Sequence, residues 1–190
     1  MIRASTVKIL PLDSEAEHLE AEERDTLSPR ERVTALFEEA RADVYAYLLT
    51  LRLGEAEAQE VTQEVFLRLY TVMRRGDNIV NGRAWVFRVA HNLGLQSLKR
   101  TSARAALTPE LEQQLPSQDE GPEKKLIETE KQARLKDALG RLSPQQRMCL
   151  HLRAEGLKYS DIASILGVRS STVGEFLSRA LVKLRRSVHE

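Results

Sequence analysis

Apolar residues recur at three- and four-residue intervals along most of the chain, the pattern of helices that each bury one stripe. Val33, Leu36, Phe37, Ala40, Val44, Tyr47, Leu48 and Leu51 form the first stripe. It opens at Ser28-Pro29-Arg30-Glu31, where serine can cap, proline suits the first helical position and glutamate can reach back as a capping box. Gly54 is expected to end that helix. A second run, about Glu55 to Arg75, carries Val61, Val65, Leu69 and Val72, and Gly76 should stop it. Gly76-Asp77-Asn78-Ile79-Val80-Asn81-Gly82 is rich in turn formers and reads as a loop presented by the helices beside it. A third run, about Arg83 to Arg104, is expected to bury Trp85, Val86, Val89, Ala90, Leu93 and Leu98.

Thr108-Pro109 and Leu115-Pro116 to Gly121-Pro122 break any helix. Helix resumes near Glu123 and runs through Leu126, Ile127, Leu135, Ala138 and Leu139. Ser143-Pro144-Gln145-Gln146 repeats the capping arrangement and opens a short helix to Gly156. The first 27 residues lack an apolar period and are acidic. The expected organisation is therefore a mobile acidic tail (1–27), a helical domain (28–104), a linker (105–122) and a second helical domain (123–190). Sparse aromatics, no Val/Ile/Thr runs, and abundant Ala, Leu, Glu and Arg make the predicted fold class all-α: two small helical domains joined by a flexible linker.

The second domain ends in a helix-turn-helix pattern. Ala163, Gly167 and Val173 stand four and then six residues apart: a small residue where two helices cross, a glycine able to take positive φ, and an apolar plug. Ser170 or Ser171 can cap the second helix, whose stripe is Val173, Phe176, Leu177, Ala180, Leu181 and Leu184. Its other face carries Arg179, Lys183, Arg185 and Arg186. An ordinary helical hairpin would share the apolar rhythm but needs neither that spacing nor a basic outer face.

Net charge is only +1, yet the charges are segregated. Residues 78–109 contain no Asp or Glu while carrying Arg83, Arg88, Lys99, Arg100 and Arg104, which points to a polyanionic partner. The single cysteine, Cys149, allows no internal disulfide and reads as a small buried residue of a reducing compartment. No signal peptide or membrane span is evident, so a cytoplasmic location is expected. There is no Gly-rich phosphate loop, His-Glu metal motif or nucleophile elbow. His18, His91, His151 and His189 are scattered and read as surface or half-buried residues. Neither an enzyme nor a bound metal or cofactor is expected.

Five segments together resemble the extracytoplasmic-function class of the sigma-70 family: E-V-T-Q-E-V-F-L-R-L-Y at 60–70, G-R-A-W-V-F-R-V-A-H-N-L at 82–93, L-G-R-L-S-P-Q-Q-R at 139–147, the helix-turn-helix, and R-A-L-V-K-L-R-R at 179–186. Leu36 to Arg104 is similar to region two and Glu130 to Val188 to region four. The resemblance implies a bacterial initiation factor that binds core RNA polymerase, recognises promoter DNA and is held by an anti-sigma factor. By position, Glu60, Gln63, Glu64 and Arg68 would face the polymerase clamp. Asp77, Asn78, Asn81, Arg83, Arg88, His91, Asn92, Lys99 and Arg100 would serve the minus-ten element, where Asn78 and Asn81 suit a pocket for an unstacked base. At the minus-thirty-five element Ser170, Ser171, Thr172, Glu175 and Ser178 would lie nearest the bases, with Arg169, Arg179 and Lys183 nearer phosphates. Relatives commonly carry a basic, hydroxyl, basic triplet after Thr-Val. Gly174-Glu175-Phe176 departs from it, which implies weaker or altered upstream recognition. The residues alone leave two other readings open: a helix-turn-helix regulator that binds DNA without polymerase, and a helical protein that docks another protein.

Overall fold

The computed structural model describes residues 28–77, 79–107 and 137–189, and every regular element among them is a helix. Helix α1 (Pro29–Thr50) starts with the anticipated box: the Ser28 N–H donates to Glu31 Oε2 at 2.8 Å and the Glu31 N–H to Ser28 Oγ at 3.3 Å. These bonds with Ser28 hold the Glu31 carboxyl below its ordinary pKa. The helix does not end at Gly54. It closes on Arg52, which takes a left-handed φ of 72° while its N–H bonds to Leu49 O and the Leu53 N–H to Leu48 O. That is a Schellman closure built on arginine. The left-handed backbone costs a non-glycine residue roughly 1–2 kcal/mol, offset here because the turn carries Leu51 and Leu53 into the core. Gly54, in an extended conformation, precedes α2 (Glu55–Arg74) instead. Gly76, at φ 85°, ends α2 as expected.

Helix α3 (Gly82–Leu107) crosses α1 at Gly94, where a Cβ would lie 2.9 Å from Leu51 Cδ1 and 3.0 Å from Leu48 Cδ2. The three helices enclose Val44, Tyr47, Leu48, Val65, Leu69, Val86 and Phe87. Trp85, Val89 and Leu98 are partly buried against this core. Because α3 continues to Leu107, the first three residues of the expected linker are helical; the rest of the linker, the tail and the helix expected from Glu123, up to residue 136, lie outside the described residues.

After a helical stretch at 137–140, Ser143 and Gln146 form the second capping box and open α4 (Pro144–Ala154). Gly156, at φ 79°, closes it. Helix α5 (Tyr159–Leu166) ends on Gly167 at φ 66°, and α6 (Ser170–His189) follows. Arg169, whose carbonyl accepts from the Val173 N–H at 3.1 Å, occupies the position before the first helical residue that had been expected of a serine. Ile162, Ala163, Val173, Leu177 and Ala180 are buried. Leu181, expected in the stripe, is exposed although Ala180 beside it is buried and Leu184 half-buried, so it lies on the flank of the stripe. Cys149 is buried, which pushes its thiol up to about 11.

The two helix units touch. Helix α1 meets α4, and α3 meets α5. Across this seam Arg83 Nη2, which also donates to Asp43 of its own unit at 2.7 Å, donates to Glu155 at 2.5 Å, while Thr50 Oγ1 lies 3.3 Å from His151 Nδ1. No described helix is long and apolar enough to cross a membrane.

Candidate nucleic-acid interface

Three surfaces carry the residues singled out in the sequence. On α3, Arg88, Asn92, Gln96, Lys99 and Arg100 are all exposed, at spacings that place them along one side of the helix. No acidic residue interrupts them. Two expected members of this group are elsewhere. His91 is 6% exposed, with Nδ1 2.9 Å from the Tyr47 hydroxyl. Burial lowers its pKa and keeps the imidazole neutral, so it supports the helix crossing from inside and is not on the basic face. Arg83 turns away from that face into the seam, where it pairs with Glu39, Asp43 and Glu155 and lies over the Phe87 ring. Burial pulls its pKa down, but the Asp43 and Glu155 carboxylates more than compensate, so the net shift is upward.

In the loop before α3, Asn81 Oδ1 accepts from the Ala84 N–H at 3.0 Å, so its oxygen caps the helix. Asp77 is exposed; Asn78 lies outside the described residues. Val80 is 94% exposed at the loop's crest, an apolar group offered to solvent that sequence reasoning passed over.

The second surface is the outer side of α2. Glu60, Gln63 and Arg68 are exposed and Glu64 half-buried, with Arg68 Nε 2.6 Å from Glu64 Oε1. Among them stands Leu67, 62% exposed. It sits two residues from both Val65 and Leu69, on the side opposite the buried stripe, so helical phase alone could have found it. A large apolar group ringed by charge marks a docking surface better than the charges do.

The third surface is the start of α6. Arg169, Ser170, Ser171, Glu175, Ser178 and Arg179 are exposed, and Thr172 is half-buried beside Val173. Glu175 Oε2 is 3.2 Å from Arg179 Nη2, so the departing carboxylate is partnered on its own helix. Lys183, expected near phosphates, donates to Arg141 O at 3.3 Å and Gln146 Oε1 at 3.2 Å, bracing α6 on the start of α4. No three metal-ligating side chains converge among the described residues.

Against known proteins, two family models match: Sigma-70 region 2 over residues 36–104 and Sigma-70, region 4 over residues 132–184. The chain is 29% identical over 175 residues to the ECF RNA polymerase sigma factor BldN of Streptomyces coelicolor, a match covering 90% of this chain and 66% of that protein, just under two thirds of its length. It is 31% identical over 135 residues to the RNA polymerase sigma-H factor of Pseudomonas aeruginosa, covering 65% of this chain and 69% of that protein. Among solved structures, the fold is similar to that of the sigma factor RpoE of Bartonella quintana in complex with the anti-sigma factor NepR: TM-score 0.61, 20% identity, 82% of this chain and 96% of that one. With regions two and four both present, in that order, and each carried by its own helical unit, the chain belongs to the sigma-70 family, in its extracytoplasmic-function class.

Proposed function

We infer that this chain is an initiation factor that joins core RNA polymerase and brings it to promoters, without catalysing a reaction itself. The observation that carries this is the α3 face: Arg88, Asn92, Gln96, Lys99 and Arg100 all reach solvent on a segment free of carboxylates, beside the exposed loop with Val80 at its crest. Cations there neutralise phosphates, while asparagine and glutamine amides can read the edges of unstacked bases. Helix α2, with Leu67 among Glu60, Gln63, Glu64 and Arg68, would engage the polymerase. The start of α6 would enter the major groove at the upstream element, with the Glu175–Arg179 pair limiting repulsion from phosphates. The factor would work in the cytoplasm, where polymerase and DNA are. An anti-sigma factor is its expected regulator, as one is bound to the structural relative described above.

Run-off transcription with purified core polymerase and promoter DNA tests this reading. The chain is expected to give a defined transcript only when core enzyme is present. Tight binding to a palindromic duplex by the chain alone, with no polymerase-dependent transcript, would assign it to the helix-turn-helix regulators instead.

A further inference from the structure

Helix α6 presents one acceptor-only side chain at the centre of its outward face. Successive side chains step round a helix axis by about 100°. Val173, Leu177, Ala180 and Leu184, buried or half-buried, therefore cluster within roughly 40° of the direction opposite Glu175, which puts Glu175 at the crest of the exposed side. Ser171 and Ser178 flank it within about 60° on one side, and Thr172 and Arg179 on the other. Its two neighbours in the chain leave the crest clear: Gly174 has no side chain and Phe176 is half-buried. The Glu175 side chain is 63% exposed, with Oε2 3.2 Å from Arg179 Nη2 one turn further on. Glutamate four residues ahead of the cation is the favoured order for such a pair.

These side chains differ in how well they can tell one base from another. A serine or threonine hydroxyl donates or accepts, so it pairs with either kind of base edge. A carboxylate only accepts. In the major groove the donors are the exocyclic amines, N4 of cytosine and N6 of adenine. On adenine the amine stands beside the N7 lone pair, which repels the second carboxylate oxygen; cytosine has a C–H in the corresponding place. A carboxylate at the crest therefore favours cytosine, and the Arg179 guanidinium offsets its repulsion from the phosphates on either side of the groove.

We propose that Glu175 is the specificity-determining residue of α6: it accepts from the N4 amine of one cytosine in the upstream element. The step deepens the function inferred above and rests on its placement of α6 in the major groove.

Selection from a duplex library randomised over both promoter elements tests the assignment. Holoenzyme reconstituted from core polymerase and the wild-type chain should enrich a motif with cytosine at one upstream position, preferred over each other base by at least about fivefold. Glu175→Gln should move the preference at that position to adenine, because an amide donates to N7 while accepting from N6, and should leave the rest of the motif in place. Glu175→Ser should flatten that position alone. An upstream motif without such a cytosine, or the same preference in all three chains, would overturn the proposal.

The same library is offered to the chains without polymerase at about 50 mM salt, where phosphate contacts are strong. A motif recovered only there would count against the inferred function, and the two Glu175 substitutions would then decide the base reading within that motif by the same criteria. No motif from either selection would overturn both.

Discussion

At the residue scale the buried histidines make stability depend on pH. Burial lowers the pKa of both His91 and His151, although Asp43 pulls His151 the other way. Tyr47, whose phenol is pushed well up by burial, stays protonated and can donate to His91 Nδ1. A lowered folded-state value means that the unfolded chain binds more protons, so the contribution is complete above about pH 6.5 and is lost as pH falls through the lowered value. Glu155, raised chiefly by burial and then by Asp43, with Arg83 opposing, acts in the reverse sense. It is common to wild type and to a histidine variant, so their difference isolates the imidazole. His91→Gln, which keeps a hydrogen-bonding group but cannot titrate, is expected to have a lower urea midpoint than wild type at about pH 7.5 and to lose less of it by about pH 5.5. Parallel declines in the two proteins would show that His91 is not the titrating group. On the outer side of α2, proposed above to meet the polymerase, Leu67→Ala removes an exposed apolar group that supports no core. It should leave thermal stability within about 0.5 kcal/mol of wild type while weakening core-polymerase binding measured by competition.

At the element scale the sequence announced most of what formed, and its failures have physical causes. The two Ser-Pro-x-x boxes and the closures at Gly76, Gly156 and Gly167 were legible because capping chemistry is local. The end of α1 was not, because a left-handed arginine is affordable only where tertiary burial of Leu51 and Leu53 outweighs its strain. The exposed α3 face followed from the missing acids. The departure of His91 and Arg83 from it did not, since each is drawn off by partners 40 or more positions away, Tyr47 for one and Asp43 and Glu155 for the other. Leu181 was misassigned because it lies at the edge of the stripe formed by Val173, Leu177, Ala180 and Leu184, where the apolar rhythm does not say how wide the cover is. The recognition helix is itself open to test. Gly174 is interior to α6, and a Cβ there would meet only Tyr159 Cε2 at 3.7 Å, an ordinary contact. Gly174→Ala should raise stability by up to about 1 kcal/mol, seen as a higher denaturation midpoint. On α3, exposed Arg100 should act through charge. Arg100→Ala is expected to reduce the salt slope of holoenzyme–promoter binding by about one, and an unchanged slope would remove it from the phosphate contacts.

At the scale of the whole molecule, the buried apolar residues of the two helix units run into one cluster, and the question is whether the units unfold as one cooperative body. The only tryptophan, Trp85, is packed against the first unit's core in α3, so its fluorescence follows that unit's unfolding. Ile162 is fully buried in the second unit, on α5. Truncating it to alanine should cost that unit about 2–5 kcal/mol. If the units were merely tethered, the Trp85 transition would not notice. With the Arg83–Glu155 seam intact, the first unit borrows stability from the second only while the second is folded, so Ile162→Ala should lower the Trp85 midpoint in urea. In a Glu155→Gln background the same substitution should leave that midpoint nearly where it was, because the coupling between distant sites has lost its carrier. A Trp85 midpoint equally sensitive to Ile162→Ala in both backgrounds would locate the coupling in the apolar contact of α3 with α5 and not in the ion pairs.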